Sequence, residues 1–566
     1  MASLIRQRRE ALESRFGTWP AWSLHDLVDH AAEAHPDRAV VIDDDDALTY
    51  SQMRARSREL AAGFLALGVR AGDHVGVLLP NDRQHVAVRV ALSRVGATTV
   101  SLNYLYRAQE LAFVLRDSGC RLLVTASGFR DLDHLAMLDE VAPGWTGGNP
   151  RSLPDLRKVV QHGVDHPERT GVPNLDDVAA LGRETPPDPA VAARKVPADS
   201  VSDILYTSGT TGKPKGIKLT HDNILRAAYA SAYCRAFEDG RRMTSALPLY
   251  HIFAWTEGLV ASMFVGGTLI TQRTFTVEST LAAISTHRAS DWICVPTMAV
   301  AVLDDPAAAE TDSSSLRSMM CAAAPAPRWL WDKARATFSL TELVTAYGST
   351  ELAGSVTLTQ PEDPIERVVH TVGRIKHGGV AGLDGGPLAR LKVTDPLTGE
   401  DLPEGAVGEL RWRGPTVTPG RWSRGDDAAP TEEWLASGDL GRIRDDGYVE
   451  LVGRSKEVYK SGGELVMPSE VEQLLTQQPG VSQAFVVGVP DERWGEIGWA
   501  WIVPEPGATV DVPAVIEACR EKLARFKVPK QVEIVTVEQL PQTTTGKVQR
   551  HLIVEQIKTS RESSAT

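Results

Sequence analysis

The chain has 566 residues, and its 60 basic against 73 acidic side chains give a formal net charge of −13. That length exceeds a single hydrophobic core, which stops growing at about 250–300 residues; the 42% hydrophobic and 23% charged fractions exclude a disordered, collagenous or disulfide-framed chain. No stretch approaches the roughly 20 apolar residues that span a bilayer, the basic start lacks the apolar core of a secretory signal, and so acidic a chain is a poor general binder of nucleic acid.

In chain order, the apolar spacing of Met53, Leu60, Phe64 and Leu67 predicts a helix over 51–67, stopped by Gly68. A strand is expected at 75–79, a helix at 83–95 before Gly96, a strand at 98–102, a helix at 109–117 and a strand at 121–125. This alternation implies a parallel sheet with right-handed crossovers. Residues 143–200 are rich in Pro and Gly and read as surface loops and a connector, and the acidic run 43–46 reads as a solvated turn. Alternation resumes with a strand at 203–206 and a helix near Asn223. The Gly-rich segment 376–388 reads as loop, and the short β-like runs of 407–454 read as an antiparallel subdomain. Beyond 453 a compact pattern follows: helix 468–477, strand 484–488, helix 512–523 and strand 532–535. The expected fold class is α/β, with a large N-terminal domain over 1–453 and a small α+β domain over 454–566. The five cysteines, at 120, 234, 294, 321 and 519, show no CxxC spacing; an odd count without a pairing pattern predicts buried small hydrophobes in a reducing cytoplasm.

The densest chemical signal is 206–216, YTSGTTGKPKG. Its glycines let backbone N–H groups turn toward an anion, its hydroxyls add donors and its lysines add charge. Pro214 after Lys213 disfavours a Walker-type loop, whose last glycine opens a helix. This string resembles the phosphate loop of the adenylate-forming superfamily, which comprises acyl- and aryl-CoA synthetases, peptide-synthetase adenylation domains and firefly luciferase. Four later segments continue the resemblance in order: AYGSTE at 346–351, SGDL at 437–440, GRSK at 453–456 and PQTTTGK at 541–547. The segment 95–117 shares the family's N-terminal cadence.

The resemblance implies an enzyme in which a carboxylate attacks the α-phosphate of ATP and the acyl-adenylate then passes its acyl group to coenzyme A. Bringing two anions together requires positioned donors and positive charge. The ATP-binding residues it implies are Thr207, Ser208, Gly209, Thr210, Thr211, Gly212 and Lys215, with Ala323 and Ala324 lining an adenine slot. Tyr347 and Gly348 sit near the base and Thr350 gives its hydroxyl to phosphate. Glu351 holds Mg2+, Asp439 accepts from the ribose hydroxyls and Arg454 binds the ribose or phosphate side. Lys547 is the implied catalytic lysine, and Lys456 the hinge about which a mobile C-terminal domain swings. Lys460, Gly462 and Gly463 form the loop on the CoA side, where Leu465 and Gln542 depart from the family pattern, as Ala322 does on the adenine side. In 247–255, LPLYHIFAW, His251 marks the acyl-pocket entrance and Phe253 and Trp255 shape an apolar pocket, with core packing as the competing reading. Peptide-synthetase domains tend to place an aspartate there for an α-ammonium, and its absence disfavours an α-amino acid. An amine or carrier-protein thiol as acceptor, and a non-catalytic nucleotide-binding or scaffold role, are the alternatives; homo-oligomerisation is left open.

Overall fold

A computed structural model of the chain describes residues 2–44, 46–187, 194–207, 214–424, 433–505, 507–543 and 548–564. The helix expected at 51–67 is Tyr50–Ala66. Its start is a capping box: the Gln52 amide N–H donates to Thr49 Oγ1 at 3.2 Å and the Thr49 N–H to Gln52 Oε1 at 2.8 Å. The helix Arg83–Val95 begins where Asp82 accepts from the His85 N–H and ends at Gly96, whose φ of +75° suits glycine.

Among the described residues, the large N-terminal part holds two seven-stranded sheets. The first runs, edge to edge, Glu342–Val344, Ser318–Cys321, Asp291–Cys294, Arg242–Ser245, Thr268–Thr271, Ala39–Ile42 and Ala47–Thr49, parallel except for the last pair. The second runs Gly420–Arg421, Lys215–Thr220, Val201–Thr207, Thr98–Ser101, His74–Leu78, Leu122–Ala126 and Lys158–His162, parallel from Val201–Thr207 onward. One hydrophobic core joins strands of both sheets to the helices Leu24–Ala34, Tyr50–Ala66, Arg83–Val95 and His221–Cys234 and the π-helix Phe253–Val260. The antiparallel subdomain is a four-stranded sheet of Arg390–Thr394, Gly408–Arg413, Leu435–Ile443 and Val449–Arg454. Arg454 is therefore the last residue of that sheet, one position past the boundary expected at 453. Residues from 459 onward build cores of their own around the long hairpin Val481–Asp491/Gly495–Pro504.

Two expectations fail. The segment read as irregular, 143–200, contains the strand Lys158–His162 and the helix Leu175–Glu184. Its Pro and Gly residues flank these elements, and the helix depends on a tertiary contact that local pattern does not encode. The acidic run is not simply a solvated turn. Asp43 is buried, accepting from the Arg83 N–H at 2.8 Å and the Arg83 guanidinium at 2.7 Å, so it ties the first sheet to the start of the Arg83–Val95 helix. The cysteines behave as expected: all five are free and buried, and burial pushes the Cys120 thiol up to about 12. Among the described residues no helix is long and apolar enough to cross a membrane.

The helix Leu175–Glu184 meets Tyr50–Ala66 through glycines on both sides. A Cβ on Gly182 would lie 2.1 Å from the Glu59 carbonyl, and one on Gly63 would lie 2.0 Å from the Val178 carbonyl. Gly182→Val should therefore destabilise the fold by about 1–3 kcal/mol or more through overpacking. The expected result is a lower urea midpoint with KM for ATP unchanged, because neither helix carries a candidate site residue.

Candidate active site

Parallel sheets bind ligands beyond the C-terminal ends of their strands, and the first sheet sends the expected residues there. Arg242–Ser245 leads into the segment with His251 and Phe253, Ser318–Cys321 into Ala323 and Ala324, and Glu342–Val344 into Tyr347–Glu351. The Ala323 backbone is strained, a non-glycine residue at φ +71°, and its side chain is exposed. Tyr347 and Gly348 lie in a tight hairpin with Gly354–Leu358. Gly348 is obligatory in it, since a Cβ would lie 1.8 Å from the Gly354 carbonyl. Thr350 and Glu351 follow in a 3₁₀ turn. Thr350 is buried, whereas the half-buried Glu351 carboxylate makes no hydrogen bond or ion pair among the described residues.

Asp439 comes from the antiparallel sheet and meets this hairpin. Tyr347 Oη donates to Asp439 Oδ2 at 2.6 Å, and Arg454, the cross-strand partner of Asp439, approaches Oδ1 with Nε at 2.9 Å. The Ser437 hydroxyl accepts from the Asp439 N–H at 3.1 Å and fixes the turn. Burial first, and then the Asp439 charge, hold the Tyr347 phenol well above its usual range, so it remains a donor. A carboxylate has about four lone-pair sites, so two are left for paired hydroxyls. Tyr347 is itself buried, with its ring 6.1 Å from that of Trp412.

The phosphate-loop candidates divide. Thr207 and Lys215 face one another as a register pair closing the hairpin Val201–Thr207/Lys215–Thr220. Ser208, Gly209, Thr210, Thr211 and Gly212 lie outside the described residues. Thr418, unnoticed in the sequence, joins this hairpin to the hairpin carrying Thr350 and Glu351. Its N–H donates to the Glu351 carbonyl at 2.8 Å and its hydroxyl to the Lys218 carbonyl at 2.6 Å. No local pattern marks it, because its partners lie far away in sequence.

The segment 247–255 is held from the second sheet's side. Asn81 Nδ2 donates to the Leu247 carbonyl at 2.9 Å and Oδ1 accepts from the Leu249 N–H at 2.8 Å. Trp255 is a core side chain, 1% exposed, with the Arg89 guanidinium 3.3 Å from its ring centroid, so the core reading wins there. Phe253 is also buried. His251 is half-buried and accepts at Nδ1 from the Phe253 N–H at 3.2 Å, which leaves the proton of a neutral ring on Nε2.

On the C-terminal side, Lys456 sits exposed in the turn that directly follows the Arg454 strand. Gly462 and Gly463 have φ of +63° and +90°, as a two-residue I′-type hairpin turn requires, and Lys460 lies exposed on the strand leading into it. Lys547 lies outside the described residues; Gln542 and Val548 form an isolated antiparallel bridge.

The chain matches the family model "AMP-binding enzyme" over residues 28–422 and its C-terminal domain model over 470–547. It is 33% identical to the 3-(7a-methyl-1,5-dioxo-octahydro-1H-inden-4-yl)propanoyl:CoA ligase of Rhodococcus jostii, covering 93% of this chain and 97% of the relative. It is 31% identical to the human mitochondrial medium-chain acyl-CoA ligase ACSF2, covering 94% and 86%. Among solved structures, the anthranilate CoA ligase AuaEII with anthranoyl-AMP superposes with a TM-score of 0.79 at 25% identity, covering 94% of this chain and 97% of that one. ATP-bound MatB from Rhodopseudomonas palustris also gives 0.79, at 27% identity over 95% and 99%. The chain belongs to the AMP-binding enzyme family. Its activity is that of an AMP-forming acid–thiol ligase, which makes an acyl-adenylate from a carboxylic acid and ATP and then a thioester with coenzyme A.

Asp439→Asn keeps shape but gives up the charge that Arg454 faces and one acceptor oxygen. A hydrogen bond to a charged group is worth about 1.5–3 kcal/mol, so KM for ATP should rise about 10- to 100-fold in a pyrophosphate-exchange assay.

Proposed function

We propose that Tyr347, Thr350, Glu351, Asp439 and Arg454 form the nucleotide side of the site, with Ala323 and Ala324 beside the base and the 206–216 loop around the phosphates. The observation that carries this reading is the Tyr347–Asp439–Arg454 contact, which joins the hairpin at the sheet's C-terminal edge to the antiparallel sheet. Glu351 is the carboxylate that would hold Mg2+; a hard cation takes carboxylate and phosphate oxygens and would neutralise phosphate charge there. Its lack of a partner among the described residues suits that role. Lys547, on its Thr/Gly-rich loop, serves as the mobile cation that meets both the carboxylate and the α-phosphate.

The acid enters beside His251 and Phe253. The segment 247–255 offers no carboxylate to pair with an α-ammonium, so the favoured substrate is an acid with an uncharged acyl body rather than an α-amino acid. Lys460, Gly462 and Gly463 are the residues we assign to the CoA side, reached by rotation about Lys456 of a domain that begins after Arg454. The free, buried cysteines suit a reducing compartment, which we take to be the cytoplasm.

AMP release measured over a panel of carboxylic acids tests this reading. Turnover should be stimulated by CoA and favour acids without an amino group; adenylate that accumulates regardless of CoA but discharges to an amine overturns the CoA assignment. Lys547→Ala should lower acid-dependent pyrophosphate exchange by at least about 100-fold, within the range that single transition-state donors command, while ATP still binds by calorimetry. Near-normal exchange in that variant removes Lys547 from the role.

A further inference from the structure

A second charge cluster lies directly beneath the hairpin that carries Thr350 and Glu351. Glu257 and Lys376 are each fully buried and pair at 2.9 and 3.0 Å. The carboxylate is saturated with donors. Oε1 accepts from the Ser355 N–H at 2.8 Å, the Ser355 hydroxyl at 2.7 Å and Lys376 Nζ, while Oε2 accepts from Lys376 Nζ and the Ser231 hydroxyl. Burial raises the Glu257 carboxyl's affinity for a proton, but Lys376 and the Ser231 and Ser355 hydrogen bonds outweigh it and leave the group below its usual range.

The elements involved are the ones the reaction uses. Glu257 lies in the π-helix Phe253–Val260, which begins within the acyl segment and carries Phe253 and Trp255. Ser355 is the register partner of Gly348, and its neighbour Gly354 is the partner of Ser349, the residue before Thr350. Gly354, at φ +122°, lets the carboxylate come close: a Cβ there would lie 3.0 Å from Oε1. The Lys376 N–H donates to the Val356 carbonyl at 2.9 Å, so both members of the pair grip the same strand. Apolar packing would hold this strand without directional preference, whereas a saturated carboxylate fixes its position along three directions. A widened π-turn fits the arrangement, since such turns re-aim side chains at functional sites.

We infer that Glu257, held by Lys376, is a positioning residue that couples the acyl-binding segment to the Thr350–Glu351 turn and sets the geometry of adenylation. This rests on the reading of Thr350 and Glu351 as nucleotide-side residues. Neither Glu257 nor Lys376 touches substrate in this assignment; they act through Ser355 and the hairpin. A displacement of about 1 Å at reacting groups costs on the order of 100-fold in rate.

The test is the double variant Glu257→Gln/Lys376→Met, which removes both charges at nearly constant volume. The Gln carbonyl can still accept from Ser355, and its amide can donate to Ser231, so the core stays hydrogen-bonded. With cooperative unfolding retained, kcat for acid-dependent pyrophosphate exchange should fall about 10- to 100-fold, with KM for ATP and acid changed less than about threefold. A merely structural pair would instead lower the melting temperature and leave kcat per folded molecule intact, and that result overturns the inference. If the double variant does not fold, Ser355→Ala decides: it deletes one donor to Oε1 and leaves the ion pair and the backbone bond in place. It should lower kcat about threefold or more at constant KM, and native kcat overturns the inference. Glu351→Gln is measured in parallel. If that variant is fully active, the nucleotide-side reading fails; if it is impaired while the Glu257 and Ser355 variants are not, only the coupling fails.

Discussion

The arrangement of the site depends on one buried ion pair, Arg89 with Asp203. Arg89 rises from the helix between the two sheets, and both side chains are almost wholly removed from water. Its guanidinium donates to Asp203 at 2.5 Å and to the Leu249 carbonyl at 3.0 Å, and lies over the Trp255 ring. Asp203 belongs to the strand Val201–Thr207 that runs into the 206–216 segment, whereas Leu249 and Trp255 belong to the 247–255 segment that follows a strand of the other sheet. One planar, multi-donor group thus ties the strand before the 206–216 loop to the segment 247–255. Such a pair carries a desolvation cost of several kcal/mol per ion. Its directional bonds reach the strand Val201–Thr207 of one sheet and the segment that follows Arg242–Ser245 of the other. Removing one partner of such a buried pair costs about 3–5 kcal/mol, because the other charge is left uncompensated.

The two ends of the first sheet use charge in opposite ways. At the N-terminal ends of its strands, Asp291 binds Arg235 and, at 2.9 Å, Arg241, while Glu342 takes Arg241 at 3.1 Å and Arg8 of the first helix at 2.6 Å. There every named acid is paired with arginines, and the helix Ala2–Glu13 is fastened down through Arg8. At the C-terminal ends, the strands open into Ala323, the 346–351 hairpin and the His251 segment. Glu351 has no partner among the described residues, and Asp439 keeps acceptor capacity after meeting Tyr347 and Arg454. Ion pairs cluster at the N-terminal ends of the strands, and the Glu351 carboxylate, unpartnered among the described residues, lies at the C-terminal ends, where ligands bind in parallel sheets.

Much of this was legible in the sequence wherever the signal was local. The helices around Met53 and Val86 and the strand before the phosphate loop follow from periodicity and caps, because Thr49, Asp82, Gly68 and Gly96 act within a few residues. Tyr347, Asp439 and Arg454 were found through motifs, and the structure brings these three into direct contact. What escaped was set by long-range contact. The helix Leu175–Glu184 has sound capping by Asn174, yet its packing depends on Gly63, more than a hundred positions earlier. Thr418, Asn81 and Glu257 carry no local pattern, since each acts on backbone or side chains remote in sequence. Asp43 misled for the same reason: an acidic run reads as solvated until Arg83 arrives from another element to bury it.

The net charge of −13 takes its meaning from the same geometry. ATP and CoA are anions, so the field of the whole chain opposes their approach. That field is short-ranged in the cell, where the Debye length is about 8 Å, and exposed acids more than one such length away contribute little. What decides binding is the set of donors in contact with the ligand, acting where water is excluded and the effective dielectric is low. Among the described residues, the buried Asp439 is already paired with the Arg454 guanidinium and accepts a hydrogen bond from the Tyr347 phenol. A nucleotide held as proposed would meet that carboxylate with its charge already compensated, whereas Glu351, unpartnered among the described residues, would face the phosphates through a cation. The acidity of the chain sets its long-range field; on the proposed reading, the pairing of Asp439 with Arg454 lowers the local cost of holding an anionic nucleotide.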